Sequence, residues 1–130
     1  MYNIGLNKVI TLTRGDTFEY KYMIDLGMVF DNENHSYCHN YYTMQEKDHL
    51  YFALMEPNQR FDEATIKQIY GIDSFEEDHI NIKLSSDDTW YLNTGKYYYT
   101  IKLEKYIETV DGVDKYNVIT TQPNTLFFLV

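Results

Sequence analysis

The sequence predicts an all-β domain, built as a β-sandwich. Three observations carry that expectation. Apolar and polar residues alternate with a period of two in residues 17–26 and again in residues 97–104, as strands with one dry and one wet face do. Turn formers separate such runs at Arg14-Gly15-Asp16, Glu56-Pro57-Asn58, Asp111-Gly112 and Gln122-Pro123-Asn124. No long segment keeps the period of an amphipathic helix.

The bulk composition agrees. A chain of 130 residues is the size of one domain, and folding should bury about two-thirds of the surface its unfolded form exposes. A hydrophobic content of 44% is too high for a disordered chain. Fourteen tyrosines favour pleated surfaces, where a ring covers apolar area while its hydroxyl stays wet. The net charge of −9 repels phosphate backbones, so nucleic acid is not an expected partner. Cys38 is the only cysteine, which precludes an internal disulfide and fits assembly in a reducing cytoplasm. The start, Met1-Tyr2-Asn3-Ile4-Gly5, has no signal-peptide pattern, and no run nears the ~18 apolar residues of a membrane span.

Taken in order, residues 1–6 read as a flexible lead. Residues 9–13 form the first strand, with Ile10 and Leu12 on one face, and Arg14-Gly15-Asp16 turns the chain. Residues 17–26 form one long strand: Phe18, Tyr20, Tyr22, Ile24 and Leu26 face one way, Glu19, Lys21, Met23 and Asp25 the other. Residues 31–48 lose the pattern and read as a long polar, tyrosine-studded loop, inserted between strands. Residues 49–55 are apolar on both faces, as a central strand would be, and Pro57 ends the run.

Residues 61–72 fit two readings. Asp62 could cap a short helix, while Ala64, Ile66, Gln68 and Tyr70 alternate as a strand does; the strand is taken here. Residues 71–78 form an acidic connection. Ile80, Ile82 and Leu84 mark the next strand, and Tyr97, Tyr99, Ile101 and Leu103 the one after it. The crossing between them holds Trp90, expected to plug the core. Residues 106–110 and 116–121 flank Asp111-Gly112, a hairpin signal. Gln122-Pro123-Asn124 breaks the chain, and residues 125–130 form a final buried strand. The count is about eight antiparallel strands in a single domain of residues 1–130.

Few residues gather as catalytic or ligating sets. His35, Cys38, His39 and His49 have metal-ligand chemistry but no standard zinc spacing, so they read as surface histidines and an inert thiol. Cys38 with His35 or His39 lacks the glycine-rich turn that presents a nucleophile. Asp87-Asp88 and Glu76-Glu77-Asp78 match no calcium loop; a helical-turn cap at Ser86 and Asp88 and a solvated connection explain them. Arg14-Gly15-Asp16 is a strand-joining turn rather than an adhesion motif. No catalytic residue, metal ligand or cofactor site is assigned. The candidate site residues are Tyr37, Tyr41 and Tyr42, amphipathic rings on the inserted loop, expected to form a protein interface.

Four segments carry a family resemblance: ITLTRGDTFEYKYMID near the start, HLYFALMEP after the loop, INIKLSSDDTWYL, and NTGKYYYTIKLEK. A late threonine and the closing TLFFLV complete the order. This layout resembles the Ig-like N-terminal domain of upper baseplate proteins and related modules in phage tail and head-fibre proteins. The match runs from Val9 to Val130. It implies an Ig-like sandwich and a non-enzymatic virion component made in the host bacterial cytoplasm. Its implied partners are other virion proteins and copies of itself, with no membrane. Residues 31–48 exceed the family's usual connection. Fibre-type members continue beyond the position of Val130, so the expected role is a head decoration, connector, head-fibre base or baseplate subunit. The rival reading is a carbohydrate-binding sandwich whose exposed tyrosines stack on sugar rings.

Overall fold

Two facing sheets enclose one core in the computed structural model, which describes residues 1–130. In chain order the strands are β1 (Tyr2–Ile4), β2 (Ile10–Leu12), β3 (Phe18–Tyr22), β4 (Asp25–Asp31), β5 (Ser36–Tyr41) and β6 (His49–Met55). Then come β7 (Ile66–Tyr70), β8 (Phe75–Glu76), β9 (His79–Leu84), the short helix α1 (Ser86–Trp90), β10 (Gly95–Val110) and β11 (Val113–Leu129). The all-β expectation holds. The large sheet has the order β1-β2-β11-β10-β6-β7, and the facing sheet the order β3-β9-β8. Strands β4 and β5 pair only with each other.

Alternation builds the core. On β10, Tyr97, Tyr99, Ile101 and Leu103 point inward, beside Leu50, Phe52 and Leu54 of β6. Phe18, Tyr20, Tyr22, Ile80, Ile82 and Leu84 meet them from the facing sheet. Phe18 and Phe127 touch edge to face across the layers at 6.1 Å, and Tyr99 stacks on Phe52 at 5.8 Å. Each fully buried aliphatic or phenylalanine side chain adds roughly 1.5–3 kcal/mol. Buried phenols keep polar partners: Tyr99 donates to the Lys8 carbonyl at 2.6 Å and Tyr22 to Thr121 Oγ1 at 2.7 Å. Burial pushes both phenols above their ordinary range.

Several elements differ from the expectation, each for a local reason. The strands number eleven, not eight, and β2 pairs with β11 in parallel. The lead is not free: a turn at Gly5–Lys8 folds β1 back antiparallel onto β2, and Thr13 N–H bonds the Met1 carbonyl at 2.9 Å. The expected strand 17–26 breaks after Tyr22. The Ile24 carbonyl turns to accept Tyr42 N–H at 2.8 Å, and Asp25 Oδ1 accepts Gly27 N–H at 2.8 Å, in a bulge where Gly27 has φ 108°. The chain then runs on as β4, so the region 31–48 is not one long loop; β5 lies inside it.

Residues 61–72 divide between the two readings: a 3-10 turn at Phe61–Glu63, then β7. The acidic connection holds a second 3-10 turn, Ile72–Ser74, and the two-residue β8. The cap of α1 is Ser85 rather than Ser86. Its N–H bonds Asp88 Oδ2 at 2.6 Å, and its hydroxyl bonds the same atom at 3.1 Å. Trp90 does not plug the core; it is 54% exposed, its indole lying on Gly15 under the Arg14 guanidinium. The Gln122-Pro123-Asn124 segment does not end a strand either. It is a bulge within β11, across from Tyr99 and Ile101. The Asp111-Gly112 hairpin is as expected: two residues with φ of 53° and 77° join β10 to β11.

Candidate interaction surface

Two β-ribbons leave the layered body. The first is β4 with β5. It turns at Asp31 because that carboxylate accepts the Glu33 N–H at 2.9 Å and the Asn34 side-chain amide at 2.8 Å. The Asn34 amide, then the Glu33 N–H, hold the Asp31 carboxyl below its usual range. Met28 pairs with His39 and Phe30 with Tyr37 on one face, while Val29 pairs with Cys38 on the other. Phe30 and Tyr37 meet edge to face at 5.3 Å, and His39 stacks on Tyr41 at 5.5 Å.

This stripe faces solvent. Every β5 residue is exposed, Tyr37 at 70%, and Phe30 opposite it at 48%. A lone two-stranded ribbon is marginal in water. Leu26 at its root packs against the core, but Met28, Phe30, Tyr37 and Tyr41 lie outside the core cluster and leave an exposed apolar stripe. At the ribbon root, Asp25 Oδ2 lies 2.7 Å from His39 Nδ1. Beside them opens a cleft of about 340 Å³, lined by Tyr20, Tyr22, Tyr41 and Thr121 among others.

The three tyrosines singled out from the sequence separate. Tyr37 and Tyr41 lie on the exposed stripe. Tyr42 belongs to the body: its hydroxyl donates to Asp48 Oδ2 at 2.6 Å. Asp48 is 2% exposed, accepts Gln45 N–H at 2.9 Å, and accepts Tyr106 N–H on its other oxygen at 2.8 Å. Burial first, then the Asp48 carboxylate, raises the Tyr42 phenol above its usual range. Asp48 thus clamps the return from the ribbon to the side of β10.

The second ribbon is the outer half of β10 and β11. Pairing of β10 with β6 stops at Glu104 and His49. Beyond it β10 continues to Val110, six residues or ~20 Å past the sheet. Polar and aromatic contacts brace its base. His49 Nδ1 lies 3.0 Å from Glu104, Tyr106 meets Tyr116 at 5.9 Å, and Lys47 Nζ sits 4.8 Å above the Tyr106 ring. Ile107, Val110, Val113 and Val118 are exposed along it.

The other chemistry-bearing residues do not converge. His35 sits in the ribbon turn, Cys38 and His39 point to opposite faces of β5, and His49 of β6 pairs with Glu104 of β10. No three His, Cys, Asp or Glu side chains are placed to hold a metal ion. Arg14-Gly15-Asp16 is a turn closed by Asp16 N–H on the Thr13 carbonyl at 3.0 Å, with Gly15 N–H donating to Thr89 Oγ1 at 3.0 Å. Glu76, Glu77 and Asp78 lie at the β8–β9 turn, where Asp78 is 2.9 Å from His79 Nδ1. Met28, Val29 and Phe30 were not singled out from the sequence. An apolar triplet ahead of a run of turn formers, Asp31-Asn32-Glu33-Asn34, was the available signal.

No family model matches this chain, and neither the curated proteins nor the solved structures include a match.

Proposed function

We propose that this protein is a non-enzymatic structural component of a bacteriophage particle. In this reading it is an Ig-like sandwich that binds neighbouring particle proteins through its projecting ribbons. The carrying observation is the β4–β5 ribbon, whose stripe of Met28, Phe30, Tyr37, His39 and Tyr41 stands in solvent outside the core. Tyrosine and phenylalanine rings make large contacts at little side-chain entropic cost. The four sequence segments quoted above support the placement in a virion, as a head decoration, connector, head-fibre base or baseplate subunit.

The test is a Tyr37→Ser/Tyr41→Ser variant that keeps Tyr42. Both side chains are exposed, so the unfolding free energy should stay within the range of ordinary surface changes, about ±0.5 kcal/mol. Incorporation into purified particles should fall sharply. Normal incorporation removes the ribbon from the reading. Saturable binding of the purified chain to a glycan array would replace the reading with a carbohydrate-binding module.

A further inference from the structure

A β-strand edge must pair, be guarded, or recruit a partner. Most edges of this protein are short or guarded. Strand β1 has three residues. The free side of β9 is closed at Lys83, whose N–H donates to the Tyr70 hydroxyl at 3.1 Å and whose carbonyl accepts the Gln68 amide at 2.8 Å. The free side of β10 is closed where Asp48 takes the Tyr106 N–H. The edge of β4 is bent by the bulge at Gly27. Strand β7 carries Lys67 and strand β3 carries Glu19 and Lys21 on their edges, and the open edge of β5 belongs to the ribbon already described.

The edge of β11 is different. Its second side has no neighbour until β2 begins to pair at Phe127. Pro123 and the bulge interrupt it, which leaves residues 113–121 as an open edge. Within it, Tyr116-Asn117-Val118-Ile119-Thr120-Thr121 has no charge, no proline and no glycine, and four of the six are β-branched. Val118 is 62% exposed.

We propose that this edge pairs antiparallel with the same edge of a second copy, about a two-fold axis near Asn117 and Val118. The sequence of the edge favours that occupant. A chain of net charge −9 repels its own copies over most of its surface. Here a two-fold antiparallel register centred on Asn117 or Val118 places Lys115 of each copy opposite the neutral Ile119 or Thr121, and no like charges meet. The second copy also supplies a strand of matching length and twist, which is what an isologous contact requires. The large sheet then continues across the axis. The edge is short against the 20–30 residues per side of a standard interface, so the dimer dissociates on dilution.

The inference supplies the contact between copies in the reading above. Its test uses only the purified chain, so it stands or falls apart from particle incorporation. Sedimentation velocity over a dilution series should show a monomer–dimer equilibrium. Amide exchange at residues 113–121 should slow as concentration rises. Val118→Lys/Thr120→Lys changes exposed side chains and should raise the dimer dissociation constant on the order of tenfold. Mixing it with Val118→Glu/Thr120→Glu should restore pairing. A wild-type chain that stays monomeric overturns the proposal, as do edge amides whose exchange ignores concentration. A dimer indifferent to the lysine pair overturns it too. If the lysine variant fails to fold, exchange on the wild-type chain decides alone.

Discussion

Asp48 offers the sharpest test of how the ribbons are held. It is a buried carboxylate with three donors: the Tyr42 hydroxyl at 2.6 Å, Gln45 N–H at 2.9 Å and Tyr106 N–H at 2.8 Å. Hydrogen bonds to a charged group contribute about 1.5–3 kcal/mol each. Asp48→Ala leaves two backbone N–H groups without an acceptor, while relief from burying a charge offsets part of the loss. The expected net cost is ~3–5 kcal/mol, a large share of the ~5–15 kcal/mol that holds a domain together. Asp48→Asn can keep one backbone bond through its amide oxygen. Its NH₂ then faces another donor, so the expected cost is ~2 kcal/mol. Tyr42→Phe removes one bond and should cost ~1–2 kcal/mol. Urea unfolding followed by circular dichroism gives all three values, and the Asp48→Ala/Tyr42→Phe cycle should show coupling of about 1 kcal/mol. An Asp48→Ala protein within ~0.5 kcal/mol of wild type would refute the clamp.

Gly15→Ala should destabilise by about 1–2 kcal/mol, because Gly15 has φ 84° and an added Cβ would lie 2.5 Å from Trp90 Cε3. Trp90 is the only tryptophan, so its emission should shift as the ring is displaced; unchanged emission and unchanged stability would contradict the contact. Replacing Asp111-Gly112 with Ala-Ala should cost ~1–2 kcal/mol by straining two positive-φ positions. Amide exchange should speed at the ribbon tip while β6 and inner β10 stay protected. Tyr22, Tyr42 and Tyr99 have phenols raised above the ordinary value of 10.0. The folded state therefore holds these protons more tightly than the unfolded state, so their contribution is full below about pH 10 and is lost as pH rises above it. Urea midpoints should fall through that window, and Tyr22→Phe should flatten the fall; a flat wild-type profile counts against it.

The layered core was legible because alternation is a direct image of burial. Phe18, Tyr20 and Tyr22 alternate with Glu19 and Lys21, and the structure buries the first set and exposes the second. Asp111-Gly112 was legible because both residues tolerate positive φ. What escaped notice was set by contacts distant in sequence. Alternation through Ile24 gives no sign that Tyr42 N–H takes the Ile24 carbonyl and divides the strand. Ser36–Tyr41 lacks alternation because both its faces meet water, so nothing selects a period of two. Trp90 looked like core on size alone, and its place over Gly15 depends on a turn seventy-five residues earlier in the chain. At the candidate site, the density of tyrosines drew attention to residues that the structure forms into an exposed hairpin. It did not distinguish Tyr42, tied to Asp48, from Tyr37 and Tyr41.

The parallel pairing of Ile10–Leu12 with Phe127–Leu129 has a consequence for synthesis. On the ribosome, the second strand emerges long before its neighbour exists. Ile10 and Leu12 must wait through more than a hundred residues of translation with their apolar faces unsheltered, and closure of so long a loop is slow. Chaperone binding to the nascent chain should therefore be strongest on this early segment, and should end only once Phe127 and Leu129 have left the exit tunnel.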